Sequence, residues 1–213
     1  MTDGLPFLQF SGVAKAYGQR LLFRKVNADF RPASISIIAG ANGTGKSTLL
    51  KIAAGLAQPD AGSVTRHVEK ARVGYMAHAT FIYPGLNARE NLLFWAKAAR
   101  IPDPSQKVDD ALEKTGLRRN AYEKAGIFSR GMAQRLNLAR LLLCDPLLIL
   151  LDEPSTGLDP ESRAMLSSLM LSARERGAAI LWISHNVGED SKIADRLFVI
   201  RGRTLLEEGI GPC

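Results

Sequence analysis

The 213-residue chain is 46% hydrophobic and 23% charged, ordinary for a soluble globular protein, and long enough for one domain with two subdomains. A bilayer span is excluded because the longest apolar stretch, Leu141–Leu151, is interrupted by Asp145 and Pro146, and MTDGLPFLQF lacks the basic start and apolar core of a secretion signal, so a cytosolic chain is expected. Two cysteines, Cys144 and Cys213, leave no disulfide framework or metal-ligand spacing, and the net charge of +7 is not clustered with aromatics as in a nucleic-acid tract, so no nucleic acid is expected.

In chain order, residues 7–38 read as the short strands FLQF, VNADF and SISII, with turns at Tyr17–Gln19 and Arg31–Ala33. Val26, Ala28 and Phe30 alternate with polar neighbours, as a half-buried strand requires. Ser47–Ala54 reads as a helix closed by Gly55. Asn87 and Glu90 make a capping box for a helix carrying Leu92, Leu93 and Trp95. Ser105 opens a further helix that ends at Gly116. The remainder alternates: helix 131–143, strand 147–151, helix 161–176, strand 178–184, helix 188–194, and a hairpin in FVIRGRTLLEEG. Strands alternating with helices predict a mostly parallel α/β sheet, with residues 79–140 as a helical subdomain inserted between 1–78 and 141–213.

Two segments carry chemistry. Gly40-Ala41-Asn42-Gly43-Thr44-Gly45-Lys46-Ser47-Thr48 fits the phosphate-loop pattern G-x-x-x-x-G-K-S/T and lies between a strand and a helix, the context that pattern needs. Its glycines let backbone N–H groups wrap an anion, and the following helix points its positive end at the same charge. Lys46 is expected on the β/γ-phosphates of a nucleotide and Ser47 on Mg²⁺. The second segment, Leu147–Leu151 followed by Asp152 and Glu153, reads as a doubly buried strand ending in two acids, at the edge where open α/β sheets bind ligands. Asp152 is expected to hold Mg²⁺ and Glu153 to polarise an attacking water.

Together with further segments, these resemble the ABC ATPase family over nearly the full chain. Tyr17 matches the aromatic that stacks on adenine. Phe128-Ser129-Arg130-Gly131-Met132 resembles the signature, Ser155-Thr156-Gly157-Leu158-Asp159 the D-loop, Ser184-His185 the switch histidine, and Val73–His78 the Q-loop. Each is ordinary alone; their order and spacing carry the resemblance. It implies an antiparallel β subdomain beside the parallel core, ATP and Mg²⁺ as ligands, Lys46, Glu153, His185 and His78 at the reacting phosphate, and Ser47, Asp152 and His78 as metal-site residues. It also implies a head-to-tail pair of chains in which Ser129 and Gly131 meet the partner's ATP, with separate membrane-spanning subunits at the cytoplasmic face of the membrane. Departures are Arg130 and Met132 in the signature and His78 where a glutamine is usual, either a neutral imidazole that ligates Mg²⁺ or holds water, or a spacer with water in its place. With the short chain, they make it similar to the haem-exporter ATPases of cytochrome c maturation and to other small-exporter ATPases. Translation- and repair-type members differ by a second ATPase domain or a long coiled-coil insertion.

Overall fold

The computed structural model describes residues 5–209, so Cys213 and the first four residues lie outside the description. Three strands form an antiparallel sheet in the order β2-β1-β4: β1 (Leu8–Tyr17), β2 (Arg20–Phe30) and β4 (Ala61–Arg66). The short strands expected here are the ends of much longer ones. The alternation that marks a strand breaks because the β1–β2 register shifts. Between the pairs Val13–Val26 and Lys15–Phe23, β2 advances three residues while β1 advances two, and Lys25 sits in that bulge with φ 51°. A further shift, between the pairs Lys15–Phe23 and Ala16–Leu21, leaves Leu22 as the extra residue, and Leu22 and Phe23, consecutive in sequence, are both buried. Strand β4 was not foreseen; its residues are mostly exposed and polar, and its place is set by pairing with β1.

The larger sheet has six strands in the order β5-β6-β7-β3-β8-β9, from β3 (Ser34–Gly40), β5 (Val73–Met76), β6 (Leu148–Asp152), β7 (Ala179–Ile183), β8 (Arg196–Arg201) and β9 (Thr204–Glu208). All neighbours are parallel except the hairpin β8–β9. Every residue of β6 and β7 is buried, which is why both read as continuous apolar runs. Helix α1 (Lys46–Ala53) follows β3 and ends in a Schellman turn: Gly55, at φ 76°, donates to Ile52 and Leu56 donates to Lys51.

Three helices, α2 (Ala88–Ala98), α3 (Pro104–Lys114) and α4 (Arg130–Leu142), carry the middle of the chain. The Asn87–Glu90 capping box is present in full, each side chain meeting the other's backbone N–H. Helix α3 begins at Pro104 rather than Ser105, since a proline's fixed φ suits the first helical position. Helix α5 is Pro160–Glu175. Of the helix expected over 188–194, the first part is α6 (Val187–Asp190) and the rest a 3₁₀ turn, Ser191–Ile193, leading into β8.

Burial follows this layering. Phe10, Phe23, Phe30, Leu49, Leu150 and Phe198 pack between the two sheets and around α1. Ile37, Leu151, Trp182, Leu166 and Met170 pack between the opposite face of the large sheet and α5. A third cluster, Leu92, Val108, Leu112, Leu136 and Ala139, joins α2, α3 and α4. Helix α4 serves both, sending Leu138 and Leu141 to the sheet side and Leu136 and Ala139 to the helical side. Among the described residues, no helix is long and apolar enough to cross a membrane.

Candidate active site

The loop between β3 and α1 holds Gly40, Gly43 and Gly45 at positive φ, a backbone path that ordinary L-residues resist. A Cβ at Gly45 would stand 2.9 Å from the Phe23 ring, so the loop also needs glycine where β2 crosses it. The loop borders a cleft of about 500 Å³ whose walls include Asn42, Gly43, Gly45, Lys46, Ser47 and Thr48. Tyr17, Glu153 and His185 come to the same cleft from β1, the end of β6 and the end of β7. Residues from opposite ends of the sequence meet here because β3, β6 and β7 are neighbours with their C-terminal ends on one side.

Lys46 is only 5% exposed, and its ammonium donates to the carbonyls of Gly40 (2.7 Å) and Ala41 (3.2 Å). Burial lowers its pKa, while the carboxylates of Glu153 and Asp152 act to raise it. Thr44 closes the loop through its hydroxyl to the Ala41 carbonyl at 2.9 Å. Ser47 Oγ donates to Asp152 Oδ1 at 3.0 Å. Burial pushes the Asp152 carboxyl above the usual range, with the Ser47 hydrogen bond working against it. Among the described residues, no group of three His, Cys, Asp or Glu side chains could hold a metal by itself. A hydroxyl and a carboxylate sharing one contact fit the partial set that Mg²⁺ uses when phosphate oxygens and water complete its shell.

Glu153 follows β6 with φ 54°, an uncommon conformation for a non-glycine residue that the sequence did not announce. Two imidazoles flank its carboxylate: His185 Nε2 lies 2.5 Å from Oε1, and His78 Nδ1 lies 3.6 Å from Oε2. His78 therefore stands beside the carboxylate rather than among the residues that line the cleft. Tyr17 is 55% exposed, with the Lys15 ammonium 5.5 Å from its ring centroid.

Ser129 and Gly131 are not among the cleft's lining residues. Ser129 is the N-cap of α4, its side chain accepting from the Met132 N–H at 3.2 Å. A Cβ built on Gly131 would meet nothing nearer than Asp159 Oδ2 at 3.8 Å, so the helix start is open in this direction. Arg130 does not project freely, because its side chain lies against Gly157, 3.0 Å from where a Cβ would be. Met132 packs on the α2–α4 cluster, which accounts for an apolar residue at that position.

Two cleft residues, Arg20 and Leu22, escaped the sequence reading. Arg20, at the start of β2, reaches the loop and donates to the Gly43 carbonyl at 2.9 Å. Its position three residues after Tyr17, across a two-residue turn, was the available signal. A guanidinium here has further donors for an anion. Arg20→Ala is expected to weaken ATP binding about tenfold, the scale of one charge-assisted hydrogen bond. Titration with a fluorescent ATP analogue measures this, and an unchanged affinity would make Arg20 a prop for the loop only.

The family model described as "ABC transporter" matches residues 23–156. This chain belongs to that family. Among curated ABC relatives, a Nod factor export ATP-binding protein I of Burkholderia orbicola is 35% identical, the alignment covering 95% of this chain and 70% of the relative. The linearmycin resistance ATP-binding protein LnrL of Bacillus subtilis is 30% identical, over 91% of this chain and 66% of its own length, just under two thirds. The bacitracin transport ATP-binding protein BcrA of Bacillus licheniformis is 34% identical over 94% and 69%. A solved ATP-binding subunit of an ABC transporter superposes with a TM-score of 0.87 over 96% of this chain at 22% identity, which shows the ABC ATPase fold.

Proposed function

We propose that this chain is the ATP-hydrolysing subunit of an ABC exporter, working as a head-to-tail pair of copies on the cytoplasmic face beneath separate membrane-spanning subunits. The contact between His185 and Glu153, beside Lys46 and the Ser47–Asp152 pair, is the observation that carries this reading. Tyr17 offers a ring to the base, and the loop from Gly40 to Thr48 offers N–H groups to the phosphates. Lys46 exchanges its carbonyl partners for phosphate oxygen. Ser47 and Asp152 would hold Mg²⁺, which would neutralise charge on the phosphates. Glu153 orients and polarises water at the terminal phosphate, and His185 fixes the carboxylate and contacts that phosphate. His78 holds the carboxylate's second oxygen or joins the metal site. These roles follow the family's order of motifs, with His78 standing where a glutamine is usual.

Segment 79–140 is the subdomain that presents the signature in this proposal. Its half-exposed Phe81, Tyr83 and Phe94, with Arg140 stacked on Phe81 and Trp95, suit a short helix from a membrane subunit. The narrower form of the proposal, haem export for cytochrome c maturation, rests on His78 and the Arg130–Met132 signature. The relatives' names, for antibiotic and Nod factor export, favour the broader small-exporter form.

Gly131→Asp tests the pairing. Its carboxylate would oppose the terminal phosphate of the partner's ATP, so ATP is expected to bind as in the parent but to drive no dimer on gel filtration. Parent-like dimerisation would remove Gly131 from the shared site.

A further inference from the structure

Asp190, on α6, is 9% exposed and belongs to none of the motifs. Its Oδ2 accepts hydrogen bonds from two hydroxyls, Ser184 at 2.5 Å and Ser155 at 3.3 Å. Ser184 is the residue before His185, and its oxygen also accepts the Asn186 N–H at 3.0 Å, which pins the turn carrying the imidazole. Ser155 lies two residues beyond Glu153, inside a turn closed by the Thr156 N–H on the Glu153 carbonyl at 3.2 Å. Glu153 N–H in turn donates to the carbonyl of Ile183, at the end of β7, at 3.1 Å. With the His185–Glu153 contact added, these links close a circuit through both chain segments: Glu153, Ser155, Asp190, Ser184, His185 and back.

Packing does not explain a carboxylate at this place. Burial pushes its pKa up, the hydrogen bonds from Ser184 and Ser155 pull the other way, and Arg163 and Glu189 are the other charged groups acting on it. A buried acid serving only to fill space is replaceable by an apolar residue of similar volume. Glu153, by contrast, needs support, because its positive φ persists only where surrounding contacts over-determine it.

We propose that Asp190 is a positioning residue for hydrolysis, holding Glu153 and His185 in register by tying Ser155 and Ser184 to a single oxygen atom. The proposal rests on the reading of Glu153 as the residue that orients water. A clamp on two segments differs from a nucleotide contact, since loosening it slows the chemical step without releasing ATP.

The test uses the full chain with Asp190→Ala and Asp190→Asn. In the alanine variant kcat is expected to fall about tenfold while KM for ATP stays within about twofold. Asparagine keeps an acceptor oxygen and is expected to recover most of the loss. Hydrogen exchange is expected to quicken in residues 153–158 and 183–190 together, with the rest of the chain unchanged. Parent-like kcat in the alanine variant, a rise in KM alone, or faster exchange throughout the chain would each overturn the proposal. If the alanine variant does not fold, Ser155→Ala cuts one arm of the clamp and is expected to lower kcat several-fold; unchanged turnover there overturns it too. A parent chain that binds ATP without hydrolysing it would count against the proposed function, and the paired change in exchange then decides separately whether the clamp exists.

Discussion

Glu153→Gln is expected to lower ATP turnover by roughly 100-fold or more while leaving ATP binding within about twofold. Glutamine keeps the shape of the side chain, so the cleft is undisturbed. It removes the negative charge, and one of the two oxygens now flanked by His185 and His78 becomes an amide nitrogen that accepts nothing. Water beside the terminal phosphate then lacks an anionic partner, and the bound triphosphate persists. Because the signature of one copy is proposed to close on the ATP of the other, the variant is expected to accumulate as an ATP-bound dimer on gel filtration. Turnover equal to that of the parent would take Glu153 out of the chemistry.

A second large effect is expected at a residue that does not line the cleft. Gly62 on β4 has φ 78°, and a Cβ there would stand 2.5 Å from backbone atoms of Ser11 and Gly12 in β1. Backbone cannot swing aside as the tip of a long side chain can. Gly62→Ala therefore combines left-handed strain with a main-chain collision, together about 3 kcal/mol of lost stability. For a chain of this size that lowers Tm by roughly 6–12 °C. Calorimetry against Gly85→Ala, where no atom lies within 4 Å of the added Cβ, checks it. A shift as small as in Gly85→Ala would mean that β1 and β4 separate easily.

What could be read from the residues was whatever depends on local order. Lys46 and Ser47 open a helix after a strand, the Asn87–Glu90 box spans one turn, and Leu148–Leu151 is apolar because both of its faces are covered. What could not be read depends on pairs far apart in sequence. The bulge at Lys25 hides β2 because two registers interrupt one alternation, and β4 owes its place to β1 more than to its own mostly exposed residues. Arg20 meets Gly43 only once the hairpin lies over the phosphate loop. Asp190 is a lone acid in the sequence; its partners stand 6 and 35 residues away. The positive φ at Glu153 has no signal in residue type, because glutamate rarely adopts it.

Lys46 has one more consequence. In this structure its ammonium does not wait in solvent; it is already satisfied by the carbonyls of Gly40 and Ala41. Under the proposed function an incoming triphosphate takes a donor away from the loop, and its affinity is the difference between two sets of contacts rather than the strength of one. The same exchange runs backwards after the reaction. As diphosphate and phosphate depart, the lysine can return to oxygens that lie within reach, so the cation is never left bare on the exit path. A loop that can satisfy itself lets go of its product more readily than one that cannot, and repeated cycling depends on letting go as much as on holding.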